Sequence, residues 1–168
     1  MMTVTRTADP CRALRTALGR YATGVAVMTT RYRGRPIGLT VNSFTSVSLA
    51  PPLVLWCLSN TSGSRTAFGA AQYFAVNILS ARQRGLAVRF AGPGDRFARL
   101  THRVDAHQLP LLDGSVCSLI CRRDRLIPAG DHVVLIGSVL DYGARSGVPL
   151  VFVDGTYHGG PVIRPGPG

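Results

Sequence analysis

Long apolar runs are missing from this chain. The most extended, such as Pro51 to Leu58 and Val133 to Gly137, fall far short of the roughly 20 residues that cross a bilayer, so no spanning helix is expected. The first twenty residues have scattered arginines and no apolar segment leading to a small-residue cleavage site; a secretory signal is not expected, and the cytoplasm is the expected location. Cysteine is scarce. Cys11, Cys57, Cys117 and Cys121 lack the histidine or cysteine spacing of a zinc site, and a chain of 168 residues has core enough without disulfides, so all four are read as free thiols and no metal is expected. Acidic residues are also few, 8 against 19 basic ones, for a net charge of +11. The arginines are spread along the chain without a basic helix or aromatic-flanked RNA-binding strand, which points away from nucleic acid and toward anionic small molecules. No glycine-rich dinucleotide fingerprint follows a strand, and no repeat is present.

What is present is one domain's worth of short elements. Asp9 and Pro10 read as an N-cap and first turn, and Leu14, Leu18 and Tyr21 at helical spacing predict a helix over 10–21. Alternation from Val25 to Thr29, a turn at 33–36 and a return over 37–42 predict a β-hairpin. Strands are expected at 53–58, 74–79, 116–126, 132–142 and 150–154, with a tight turn at 128–131. Helices are expected after Ser62 and Ser64, over 65–71, and after Ser80, whose spacing to Gln83 makes a capping box. The stretch 91–112 reads as loop with one helical turn near 95–100. Such a pattern fits a mainly β fold with a few helices, a closed or nearly closed antiparallel barrel. Residues 1–9 are expected to be a flexible N-terminus, 10–158 the domain, and 159–168 a disordered Gly/Pro tail.

The informative stretch runs from Gly38 to Ser48: Gly-Leu-Thr-Val-Asn-Ser-Phe-Thr-Ser-Val-Ser. A core strand has no use for so many hydroxyls and amides, because each buried one demands a partner. A flat ring with apolar faces and a polar edge, such as an isoalloxazine, would use them. Ser62, Ser64 and Thr66 hydroxyls beside Arg65 also suit an anion. His102, His107, His132 and His158 fall in expected loops or turns, and no nucleophile elbow accompanies them.

In Tyr21–Val25, Gly38–Ser48 with Pro51-Pro52-Leu53, Phe74–Leu79, Arg89–Gly92, Leu112–Gly114 and Gly130–His132, taken in order, the chain resembles the flavin reductase-like proteins with an FMN-binding split barrel, the reductase components of two-component flavin monooxygenases. The resemblance spans about residues 12–158. It implies an NAD(P)H:flavin oxidoreductase that passes a hydride from NADH or NADPH to FMN or FAD and supplies reduced flavin to a partner oxygenase. It also implies a homodimer. Thr40, Val41, Asn42 and Ser43 would meet the ring's polar edge and Ser46 the ribityl or phosphate region. Ser62, Ser64, Arg65 and Thr66 correspond to the phosphate loop, and Arg89 with Phe90 would lie near the phosphate or ring. Gly130, Asp131 and His132 would stand at the nicotinamide side, His132 being tied most closely to the pyridine nucleotide, and Tyr157 would close over the site. The basic stretch 100–107 and the long loop 60–64 depart from the family pattern. Two other readings stay open: a split-barrel flavoprotein that keeps FMN and acts on an organic substrate, and a non-catalytic module that binds flavin or nucleic acid.

Overall fold

The structure is a computed structural model that describes residues 9–162. Residues 1–8 and 163–168, most of both expected flexible ends, lie outside the described residues. The first element is a helix, α1 (Pro10–Leu18), capped by Asp9, whose carboxylate accepts from the backbone N–H of Cys11 and Arg12 at 3.0 and 3.2 Å. The cap satisfies donors that no helical carbonyl can reach. The helix stops at Leu18, short of the expected Tyr21, and Leu14, Leu18 and Tyr21 are 60%, 65% and 78% exposed. Their spacing is helical, but no element among the described residues covers the face they make.

Next come β1 (Thr23–Gly24), β2 (Ala26–Tyr32), β3 (Arg35–Val41), β4 (Thr45–Leu49) and β5 (Pro52–Ser59). Arg33 and Gly34, with φ of 49° and 77°, make the two-residue turn between β2 and β3, the backbone hand that matches strand twist. After β5 lie α2 (Arg65–Ala70), β6 (Tyr73–Ile78), a 3₁₀ turn (Ala81–Gln83) and α3 (Arg84–Ala91). The capping box of Ser80 and Gln83 forms as its spacing predicts. The stretch expected to be loop holds a small ribbon, β7 (Arg103–Val104) with β8 (Pro110–Leu111). The long hairpin of β9 (Cys117–Ala129) and β10 (His132–Ala144) follows, then β11 (Leu150–Val153) and β12 (Thr156–Gly159). β12 follows the last expected strand and reaches the first residue of the expected tail, so His158 lies in a strand, and His132 begins one.

Seven strands pair antiparallel in the order β3-β2-β6-β9-β10-β5-β4. Laid flat, such a sheet would put its edge strands about 29 Å apart at 4.8 Å per step. Yet the edges, β3 and β4, are joined by residues 42–44 alone, a link reaching roughly 14 Å at most. The sheet must therefore curl until its edges face each other, giving a barrel split along the seam between β3 and β4. Bulges help it bend: β9 carries an extra residue at Asp124 and β10 another at Leu140.

Period-two alternation assigns the core. Along β2, Ala26 and Met28 point into the barrel with Trp56, Phe68, Phe74 and Leu135, while Val27, and Val25 just before the strand, pack on the other side with Phe90, Leu112 and Leu150 under α3. Buried Asn77 joins the layers, donating to the Val27 carbonyl (3.2 Å) and accepting the Leu112 N–H (2.9 Å). None of the four cysteines forms a disulfide, and burial pushes the Cys121 thiol up to about 12.

Candidate flavin site at the barrel seam

The seam is where the informative stretch lies. Thr40, Val41 and Asn42, at the end of edge strand β3 and the start of the link, line a cavity of about 170 Å³ with Val25, Ala91, Phe152 and Tyr157. β3 is held in place from both sides. Gly38 lets it approach α3, since a Cβ there would sit 2.6 Å from the Phe90 ring, and the Thr40 hydroxyl donates to the Ala87 carbonyl at 2.7 Å. Ser43 is likewise committed, its Oγ accepting the Cys57 N–H at 3.0 Å and so fastening the link to β5. Two of the hydroxyls singled out by sequence thus brace the strand. The groups left to read a ligand are the outward backbone of an edge strand and exposed Asn42. Opposite them, the β11–β12 hairpin presents Phe152 against Tyr157, ring centroids 5.1 Å apart. Burial raises the Tyr157 hydroxyl pKa above its usual value, against a smaller opposing effect of Arg84.

The other expected residues are placed as follows. Ser46 is exposed on β4, opposite Val54. Ser62 accepts the Ser64 N–H through its hydroxyl (3.2 Å), and Ser64, at the N-cap of α2, makes no side-chain cap bond and is 5% exposed. Arg65 lies back over Gly69 of its own helix, and Thr66 is exposed. Arg89 donates to the Ala98 carbonyl, tying the end of α3 to the following loop, and Phe90 is wholly buried, edge-on to Phe97. Gly130, with φ of 60°, and Asp131 form the tight turn between β9 and β10. His132 Nδ1 is 2.7 Å from the Asp131 carboxylate, and that hydrogen bond, with the charge of His132, holds the exposed Asp131 carboxyl below the usual aspartate range. The structure brings Thr40, Val41, Asn42 and Tyr157 around one cavity; the remaining residues lie outside its lining.

Sequence reasoning passed over Arg96. Its guanidinium donates to the Gly92 carbonyl (2.8 Å), the Gly38 carbonyl (2.7 Å) and the Ser64 hydroxyl (3.4 Å), joining α3, β3 and the start of α2. A larger cavity of about 310 Å³ opens at Arg103, Ser115, Ser118, Tyr142 and Arg145 and contains none of the expected residues.

The seam cavity suits a planar ring with a polar rim. Val25, Val41 and Phe152 offer apolar contact to its faces, and the β3 edge offers donors and acceptors in line. At 170 Å³ it is smaller than the roughly 300–1,000 Å³ that encloses a drug-sized ligand, so such a ring would be partly held and partly open.

Comparison with known proteins agrees. Residues 18–161 match the flavin reductase like domain. The chain is 42% identical over 146 residues to the FMN reductase (NADH) SmoA of Agrobacterium fabrum, covering 87% of this chain and 84% of that one. It is 40% identical over 148 residues to the reductase component of the flavin-dependent trigonelline monooxygenase of Acinetobacter baylyi, covering 87% of this chain but only about half (48%) of that protein. The NADH:FAD oxidoreductase of Streptomyces globisporus, solved with NAD and FAD fragments, superposes with a TM-score of 0.86 at 34% identity, over 92% of this chain and 96% of that one. This chain therefore belongs to the flavin reductase-like family, whose expected split barrel is the architecture described above.

Proposed function

We propose that the chain is an NAD(P)H:flavin oxidoreductase, passing a hydride from NADH or NADPH to FMN or FAD and supplying the reduced flavin to a separate flavin-dependent oxygenase. The observation that carries this reading is the seam cavity, an apolar slot with one hydrogen-bonding edge, in a chain of this family. FMN and NADH, named for the Agrobacterium relative, are the pair to test first.

A flavin held here would supply the hydride acceptor, and hydride transfer needs two rings in contact rather than a nucleophile or base. The chain's part is position and electrostatics. Along the Thr40–Asn42 segment of edge strand β3, those backbone N–H groups that point away from β2 would meet the polar edge of a bound ring, where such donors favour negative charge. Ser46, Ser62, Ser64, Arg65 and Thr66 serve the ribityl and phosphate side. Arg89, engaged with Ala98, and Phe90, packed on Gly38, support the wall from behind. Gly130, Asp131 and His132 serve the nicotinamide side, and Tyr157 flanks the slot. A cavity this small and open favours flavin that leaves over flavin kept as a prosthetic group.

A homodimer is part of the proposal. Val47 and Leu49 on edge strand β4 are 47% and 91% exposed beside unpaired backbone groups, a surface that a second copy would cover. The cytoplasm is the proposed location; among the described residues, no helix is long and apolar enough to cross a membrane.

The test is loss of absorbance at the nicotinamide band, with NADH or NADPH and FMN, FAD or riboflavin in turn. Turnover that saturates in added free flavin is expected. Absence of nicotinamide oxidation with every flavin would overturn the reading, and yellow flavin surviving dialysis would favour a prosthetic group instead.

A further inference from the structure

The turn between β9 and β10 is held from outside its own hairpin. Asn60, in the loop after β5, donates its backbone N–H to the carbonyl of Asp131 at 2.9 Å and its side-chain Nδ2 to the carbonyl of Gly130 at 3.3 Å. Two successive carbonyls of one tight turn are thus bound by a single residue, 70 positions away for the side-chain bond. The next residue along, His132, lies opposite Ser59 in the β5–β10 ladder, so the fastening falls one step beyond the last paired residues. On its other flank Asn60 is continuous with a run of tight local bonds: the Ser59 hydroxyl meets the Thr61 hydroxyl at 2.9 Å and accepts its N–H, the Ser62 N–H returns to the Ser59 carbonyl, and the Arg65 N–H returns to that of Ser62. One exposed asparagine therefore ties the loop of Ser62 and Ser64 to the turn of Asp131 and His132.

We propose that Asn60 is a positioning residue for hydride transfer, fixing the Gly130–Asp131–His132 turn so that His132 meets the nicotinamide nucleotide at a set height above the seam. The proposal rests on the function proposed above. Its physical basis is that a turn around a left-handed glycine is soft: Gly130 has φ of 60° and no Cβ to restrict it. His132 cannot hold the turn in place alone, because the Asp131 carboxylate it bonds belongs to the same turn and moves with it. Asn60 is exposed and absent from the buried clusters, so packing does not account for its bonds.

Asn60→Asp is the discriminating variant. It keeps size, shape and the backbone N–H, but sets an oxygen in place of the donor facing the Gly130 carbonyl. Asn60→Ala removes the group, and Asn60→Gln keeps a carboxamide donor on a longer arm. With wild type and the three variants, steady-state KM is measured for NADH and for FMN, with Tm and amide hydrogen exchange at Asp131 and His132. Asn60→Asp and Asn60→Ala are expected to raise KM for NADH about 3- to 10-fold while FMN changes by less than about twofold, the scale of one lost hydrogen bond. Exchange at the turn should quicken, Tm should hold, and Asn60→Gln should recover part of the loss. An unchanged KM for NADH in Asn60→Asp, an equal rise for FMN, or unaltered exchange would overturn the positioning role. Wild-type protein that oxidises no nicotinamide with any flavin would instead overturn the proposed function, and this role with it.

Discussion

At the scale of single residues, the most informative group is the Asp131–His132 pair, because its geometry fixes a proton. With the carboxylate, which can only accept, 2.7 Å from Nδ1, that nitrogen carries the hydrogen, and in the neutral ring Nε2 is left as an acceptor. The Asp131 carboxyl is held low first by this hydrogen bond and then by the His132 charge. A depressed folded pKa favours the folded turn above the ordinary aspartate range, and that contribution fades as pH falls through the lower folded value. Carbon-detected NMR titration of Asp131 should give a midpoint below that of an ordinary aspartate, and His132→Ala should return it to the ordinary range. An unmoved midpoint in the variant would mean that the pair does not form in solution. The same scale shows why part of the candidate site is legible in sequence and part is not. Gly130, Asp131 and His132 are adjacent, so turn chemistry alone brings them together. Arg96 and Asn60 act on carbonyls 58 and 70 residues away, and their local surroundings read as ordinary loop. Thr40 and Ser43 are legible as unusual, but whether a hydroxyl faces a ligand or its own backbone depends on α3 and β5, which no local pattern locates.

Between elements, the decisive contact is the close approach of β3 to α3. Gly38 has an ordinary backbone angle, so its requirement is steric: an added Cβ would meet the Phe90 ring at 2.6 Å with the Met28 carbonyl at 3.3 Å behind it. Gly38→Ala is expected to cost about 1–3 kcal/mol in urea unfolding, the range for overpacking a well-filled core. The displaced strand carries Thr40 to Asn42 and the carbonyl bound by Arg96, so KM for FMN should rise as well. A variant as stable as wild type with unchanged KM for FMN would show that β3 tolerates the shift and that the slot is not set by this contact. Elements with strong periodicity are the legible ones. The β2–β3 and β9–β10 hairpins announce themselves by alternation and a glycine turn, and the capping box of Ser80 and Gln83 forms as spaced. The ribbon of β7 and β8 has two residues a side, too few for a period, and β12 is hidden by the glycines around it. The exposed stripe of α1 is legible as a helix yet misleading as core, since amphipathicity states that a face is apolar and not what covers it.

For the molecule as a whole, charge matters more than any one contact. All 19 basic residues are arginine, against 8 aspartates, with no lysine or glutamate. Only Arg20, Arg103 and Arg125 form ion pairs with a carboxylate among the described residues, so most of the positive charge is left to act on the surroundings. Such a field raises the local concentration of anionic nucleotides and speeds their arrival, and salt screens it over about 8–10 Å at 0.1–0.15 M. Raising ionic strength from about 0.02 to 0.5 M should therefore raise KM for NADH and for FMN several-fold. Riboflavin separates this effect from a general action of salt on the protein. It presents the same ring to the seam without the phosphate, so its KM should stay nearly level while that for FMN climbs. A parallel climb for both flavins would mean that salt perturbs the slot itself, and that the surplus of arginine takes no part in gathering substrate.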